Sequence, residues 1–329
     1  MIRVGVAGLG HWGPNLARNF HALGALAAVC DAREEARHAV TARLSNVVAH
    51  AAFDALLSSD IDAVVIATPA ATHGALVAQA LAAGKHVFVE KPLCLDLAEA
   101  KALGAEAARH GLTLMVGHLL LYHPAFNALE TLVASGRLGR LHYIYSNRLS
   151  LGKIRREENA LWSFAPHDVS MILALTGRAP VRAMTSGGSY LLPTVADTTL
   201  SHLDFADGMR AHVFVSWLHP YKDHRLVVVG SEGMASFHDS AQDADKLLFY
   251  PHAVGWKDDL PTIERAAAEP IAFDAEEPLA RECRHFLDCV ERRARPRSDA
   301  AESLRVLATL DACQRSLTQG HPVAVEATS

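Results

Sequence analysis

From the start of the chain to about residue 120, short apolar runs alternate with segments of helical period, the form that successive βαβ units take around a parallel sheet. The runs are Ile2 to Ala7, Leu26 to Cys30, Ala63 to Ala67, His86 to Val89 and Leu112 to Val116. Between them, Asn15 to Leu23, Glu34 to Leu44, Phe53 to Leu57, Thr72 to Ala83 and Leu97 to His110 have the Ala, Leu, Arg and Glu composition of helices. Gly24, Gly84 and Gly111 stand just past three of these helices, where a left-handed C-cap is needed.

Beyond residue 120 the pattern changes. A helix is expected over Pro124 to Ser135 and a strand over Leu141 to Ser150, then a helix over Ala165 to Leu175 closed by Gly177. Val181 to Ser186, Thr198 to Phe205, Met209 to Trp217, Arg225 to Gly230 and Met234 to His238 follow as strands, with Asp207-Gly208 and Ser231-Glu232-Gly233 as turns. Neighbouring strands joined by short turns predict an antiparallel sheet. Pro251 to Glu269, polar and proline-containing, is expected to be a surface loop. Helices return at Leu279 to Arg292 and Ala300 to Thr318. The domain division expected is 1–120 and 121–329, with the late helices at 279–318 packing back toward the first domain.

With 50% apolar and 20% charged residues, the chain lies outside the class that stays disordered. Its formal charge of −5 is spread without long single-sign runs, which argues against nucleic-acid and polybasic membrane binding. No apolar stretch approaches a membrane span, and Met1 to Leu9 lacks the features of a secretory signal. The five cysteines form no CxxC pair and no metal-ligand spacing, so no metal is expected and the cytoplasm is the expected compartment.

Gly8-Leu9-Gly10-His11-Trp12-Gly13 fits G-x-G-x-x-G and sits where its mechanism requires, after the first apolar run and opening the first helix. Gly8 permits the tight turn, Gly10 lets a pyrophosphate approach the backbone, and Gly13 lets the helix pack close to the strand. Asp31 ends the second run and is positioned to accept the ribose hydroxyls of NAD while repelling a 2′-phosphate; Arg33, two residues on, could neutralise such a phosphate. Thr68-Pro69 and His73 follow the third run on the side where cofactors bind. His73 also fits an ordinary polar residue at a helix start. Glu90-Lys91-Pro92 ends the next strand, facing the same crevice; taken alone, a solvated Glu-Lys pair describes it as well.

These residues, with Gly117-His118 and the late stretch Pro278-Leu279, Glu282-Cys283 and His285-Phe286-Leu287, resemble the Gfo/Idh/MocA oxidoreductases over essentially the whole chain. The resemblance implies a Rossmann domain followed by an α/β domain with an open, mostly antiparallel sheet. It further implies NAD as cofactor, with Gly8, Gly10, His11, Trp12, Gly13, Asp31, Arg33, Thr68, Pro69, His73, Glu90 and Lys91 around it. Lys91 is the implied catalytic lysine and His167 the implied second catalytic residue. The family pattern carries Asp four residues before that histidine; here the position is Ser163, and Asp168 is adjacent to His167 in sequence but about 100° round the helix.

On the substrate side, Asn147, Arg148, Lys153, Arg155 and Arg156 could neutralise a diphosphate or a carboxylate, while Glu157 and Glu158 also suit a solvated loop. Together with His118, Tyr122, Ser163 and His167 they form the expected substrate set. The segments around Trp12, Gly117 and Ser146 resemble the branch of nucleotide-sugar 3-dehydrogenases acting on UDP-N-acetylhexosamine substrates. Dehydrogenation of a free sugar or cyclitol, NAD-dependent glycoside cleavage and non-enzymatic NAD sensing stay open as alternatives. A homodimer or homotetramer is expected through the antiparallel sheet, with Phe214 and Trp217 placing aromatics on both faces of one strand.

Overall fold

The computed structural model describes residues 2–152 and 154–328. The chain divides into two compact units, one holding the chain up to Tyr122 together with Glu276–Leu307, the other His123–Ala275 with the stretch from Ala308 on.

The first unit is wound as β1 (Val4–Ala7), α1 (Gly13–Ala22), β2 (Leu26–Cys30), α2 (Glu34–Thr41), β3 (Val48–His50), α3 (Phe53–Leu57), β4 (Ala63–Ile66), α4 (His73–Ala82), β5 (His86–Glu90), α5 (Leu97–His110) and β6 (Leu114–Gly117). All six strands are parallel, in the order β3-β2-β1-β4-β5-β6, the doubly wound arrangement with its switch point between β1 and β4. Strands covered on both faces need continuous apolar runs, and β4, Ala63 to Ile66, is wholly excluded from solvent. The edge strand β3 was not expected, because Val48-Ala49-His50 is too short to show a period.

The second unit begins with α6 (Pro124–Ala134), β7 (Leu141–Leu149) and α7 (Ala160–Thr176). It continues through β8 (Arg182–Gly188), β9 (Thr198–Asp204), β10 (Arg210–Ser216), β11 (Asp223–Gly230) and β12 (Met234–His238). After a one-turn α8 (Asp243–Lys246) come β13 (Leu247–Tyr250), β14 (Ala253–Lys257), β15 (Leu260–Glu264) and β16 (Glu269–Pro270). The late helices α9 (Pro278–Arg292) and α10 (Ala300–Gln319) precede β17 (Val323–Ala324); α9 and the first turns of α10 belong to the first unit. Nine strands form one sheet, β16-β13-β12-β11-β7-β10-β9-β8-β17, antiparallel except that β10 runs parallel to β7. Helix α7 packs on β7, β9 and β10.

Three expectations change here. Helix α7 starts five residues earlier than periodicity suggested and runs through Pro166, because the Asn159 side chain caps it by accepting from the Trp162 N–H at 3.1 Å. The expected loop at Pro251 to Glu269 contains the hairpin β14–β15, turned by Asp258 and Asp259 at φ 51° and 59°. Trp217 lies just past β10 and is fully buried, so the aromatic pair expected on two faces reduces to the half-exposed Phe214.

Candidate active site

In the first unit, the loop after β1 meets the end of β4 at the switch point. Gly8 has φ +90°, and a Cβ there would lie 2.7 Å from the Ala67 carbonyl carbon; one at Gly13 would lie 1.8 Å from the Gly8 oxygen. A Cβ at Gly10 would meet nothing within 4 Å. The outer two glycines are thus demanded by the turn and its packing, while the middle one leaves open backbone for a ligand. No side chain caps the first turn of α1, so its N–H groups suit a pyrophosphate. A groove of about 450 Å³ runs from Gly8 and Gly10 past Asp31 and Arg33 to Thr68 and Pro69, and is also lined by Phe53 and Leu76.

Asp31 is fixed at the rim. The Leu9 N–H donates to its Oδ2 at 2.8 Å, the Arg33 N–H to its Oδ1 at 2.9 Å, and the Arg33 guanidinium bonds both oxygens at 3.1 and 3.2 Å. Burial works to raise this carboxyl, but the Arg33 guanidinium and the two N–H donors outweigh it and leave it below the usual range. The charge therefore persists near neutrality as an acceptor for sugar hydroxyls, and Arg33 is occupied by Asp31. These features fit the adenosine ribose and pyrophosphate of a dinucleotide.

His73 was expected to touch the cofactor. The structure corrects this: the ring is buried, with Nδ1 2.7 Å from the Pro92 carbonyl oxygen and Nε2 2.9 Å from that of Thr68. It ties the loop after β4 to the loop after β5. Thr68 and Thr72 hydroxyls pair at 2.7 Å on the groove side. His11 is exposed, and the Trp12 side chain hydrogen-bonds Glu90. Lys91, partly buried, stands at the end of β5 with a cis bond to Pro92.

Two substrate candidates lie inside the first unit rather than at an open surface. His118 is 1% exposed with its Nε2 3.6 Å from Glu302 Oε2, and the Tyr122 hydroxyl lies 3.0 Å from Ser298 Oγ. Burial first, then the Lys91 charge, lowers His118 to about 3, and burial pushes Glu302 up to about 8. The pair therefore meets near neutrality as two uncharged groups.

In the second unit, α7 carries Ser163, buried, and His167, partly buried, one turn apart. Asp168 is committed elsewhere, accepting from Ser146 Oγ at 2.5 Å and from Arg148 Nε at 2.8 Å. Arg148 is itself buried, which removes it from the expected substrate set. Asn147 donates to Asp223 Oδ2 at 3.0 Å. Arg155 and Arg156 are exposed, Arg155 paired with Glu158 at 3.1 Å; Lys153 lies outside the described residues. The residues that pattern reading missed are the Leu9 amide on Asp31 and the buried acid Glu302, and it gave Glu282 no role of its own. Glu282 carried a signal, since it falls on the apolar stripe of α9 with Leu279, Cys283 and Phe286.

A βαβ sheet with a glycine-rich switch-point loop and a carboxylate at the ribose position defines a dinucleotide-binding domain. Residues 2–118 match the oxidoreductase family with an NAD-binding Rossmann fold, and residues 126–236 match the C-terminal domain of the same family. The chain belongs to the Gfo/Idh/MocA oxidoreductases, and its first unit binds NAD. It is 30% identical over 308 residues to UDP-N-acetylglucosamine 3-dehydrogenase of Acidithiobacillus ferrooxidans, covering 93% of this chain and 94% of that protein. A solved structure of that dehydrogenase superposes with a TM-score of 0.85 over 97% of this chain and 98% of the other, at 28% identity. An inositol 2-dehydrogenase of Burkholderia multivorans is 27% identical, with 89% of this chain and 86% of that one covered. The protein is thus an NAD-dependent sugar dehydrogenase of this family. No helix among the described residues is long and apolar enough to cross a membrane.

Proposed function

We propose that the protein oxidises a secondary ring hydroxyl, that at C3, of a UDP-linked N-acetylated amino sugar. The observation that carries this reading is the similarity to a UDP-N-acetylglucosamine 3-dehydrogenase along nearly the full length of both chains. NAD, when bound, supplies the hydride acceptor. Lys91 polarises the substrate oxygen and takes part in removing its proton, and His167 assists as acid or base. Arg155 and Arg156 hold the diphosphate.

The competing reading is a free sugar or cyclitol. It is favoured by the burial of Arg148 against Asp168 and the pairing of Arg155 with Glu158, which leave fewer cations for a phosphate. Incubation with UDP-sugars, free sugars, cyclitols and aryl glycosides, followed by NADH absorbance and product mass, separates these readings. UDP is expected to inhibit competitively against substrate and to raise the melting temperature. If it does neither while a cyclitol turns over, the nucleotide-sugar reading is wrong.

The protein acts in the cytoplasm, a reading supported by five buried free cysteines. It assembles as a homodimer or homotetramer through the sheet of the second unit, where Tyr145 and His212 stack at 5.3 Å on a partly exposed face. A single-chain mass by light scattering at micromolar concentration would exclude this assembly.

A further inference from the structure

Glu282 is the least explained side chain of the first unit. It is 0% exposed, and among the described residues no donor reaches either carboxylate oxygen. An ionised carboxylate without donors is not tolerated in an interior, so the group keeps its proton, and a neutral carboxylic acid in turn needs an acceptor for its O–H.

The packing of α9 on β5 indicates which acceptor. The Phe286 and Phe88 rings meet at 5.7 Å. Glu282 is one helical turn before Phe286 on the same face of α9, about 6 Å along the axis. Glu90 is two residues after Phe88 on the same face of β5, about 6.6 Å along the strand. Steps of nearly equal length lead from that ring contact to each carboxyl, and the two carboxyls lie close enough to interact electrostatically. Gly117, paired with Glu90 across β5 and β6, closes the other side: a Cβ there would lie 3.1 Å from the Glu90 carboxyl.

We propose that Glu282 is a neutral carboxylic acid whose O–H is directed at the Glu90 carboxylate through a buried water, making it a positioning residue that holds Glu90 ionised beside Lys91. The proton affinities agree: burial first and the Glu90 charge second push Glu282 well above the carboxylate range, and burial lifts Glu90 to about 7 against the pull of Lys91 and the Trp12 hydrogen bond. Glu90 therefore loses its proton while Glu282 is still neutral. The other titratable groups around Glu282 are Tyr122 on the turn after β6 and Cys283 beside it on α9, both raised by burial and uncharged; Glu277 and Arg18 neutralise each other one turn away.

The role of Glu282 in the reaction rests on the proposed part of Lys91, but its protonation does not, so the test begins on cofactor-free protein. Infrared titration of ¹³C-carboxyl-Glu protein, with Glu90→Gln to assign the second band, should show a protonated carboxyl that persists after the Glu90 carboxyl has ionised and is lost in Glu282→Gln and Glu282→Leu. Gln keeps a donor and should leave the Glu90 midpoint in place; Leu keeps the volume without a donor and should raise it by about one to two pH units. In turnover, the limb of the kcat profile assigned to Glu90 should move with it in the Leu variant and stay in the Gln variant, which a purely packing role would not produce. A Glu282 band that titrates with ordinary carboxylates overturns the proposal, as does a Leu variant with an unmoved Glu90 midpoint. If Leu does not fold, the persistence of the band and the Gln midpoint still decide it. Failure of the Lys91 reading shows separately, as a Lys91→Ala variant that turns over normally with these bands unchanged.

Discussion

Arg148 Nε donates to Asp168 Oδ2 at 2.8 Å, with both side chains almost wholly excluded from solvent. The contact joins β7 to α7, the helix that carries His167. It also makes Arg148 a structural cation. Arg148→Ala should leave Asp168 with one hydroxyl donor and no counter-charge, costing about 3 to 5 kcal/mol. Denaturant unfolding should register that loss. A folded variant of normal stability with only a raised Michaelis constant would return Arg148 to the substrate.

Asp31 controls cofactor choice by a charge held in place by the Leu9 amide and Arg33. Asp31→Ala is expected to weaken NAD by about 1 to 3 kcal/mol, roughly five- to 150-fold, and to free Arg33 for a 2′-phosphate. NADP should weaken far less or bind better. Titration calorimetry with both cofactors gives the comparison, and equal weakening would remove Asp31 from the ribose.

Lys91→Ala should fold and bind NAD but turn over substrate at least a hundredfold more slowly, the usual contribution of a group that moves a proton in the transition state. His167→Ala should be impaired as well. Binding and turnover measured on the same preparations distinguish a lost catalytic group from a lost cofactor site.

The buried Glu302 makes stability depend on pH. Its folded proton affinity is raised to about 8, so between the ordinary glutamate range and that value the folded state holds a proton that the unfolded state has lost. Its contribution is therefore full at low pH and falls as pH rises toward 8. His118, lowered to about 3, acts oppositely, with stability present above the ordinary histidine range and lost as pH falls. Glu302→Gln should flatten the decline between about pH 5 and 8, by on the order of 3 to 4 kcal/mol across that window. A slope identical to that of the unsubstituted protein would mean that Glu302 is ionised when folded.

Much of the first unit was legible because local chemistry and global fold agree there. Gly8 and Gly13 admit no side chain, and β4 admits no polar residue, so steric and solvation demands show directly as residue types. Asp31 could be read in the same way, since its position follows from the length of one βαβ turn. The hairpin β14–β15 was not legible: its turn residues are Asp258 and Asp259, not glycines, and Val254, Trp256 and Ile263 remain exposed, so no burial imposed a pattern.

By itself, the order of residues determined the period of each element, the glycine turn, the charge at the ribose position and the succession of a parallel sheet by a mostly antiparallel one, all of which depend on neighbours within a turn or a strand. Only the tertiary structure decided what the polar residues do. It set Arg148 against Asp168, His73 between two carbonyls, His118 against Glu302, and Glu282 on the face of α9 that meets β5. The reason is physical: a charged or polar group takes its state from the donors, acceptors and water around it, and those come from segments up to some two hundred residues away along the chain.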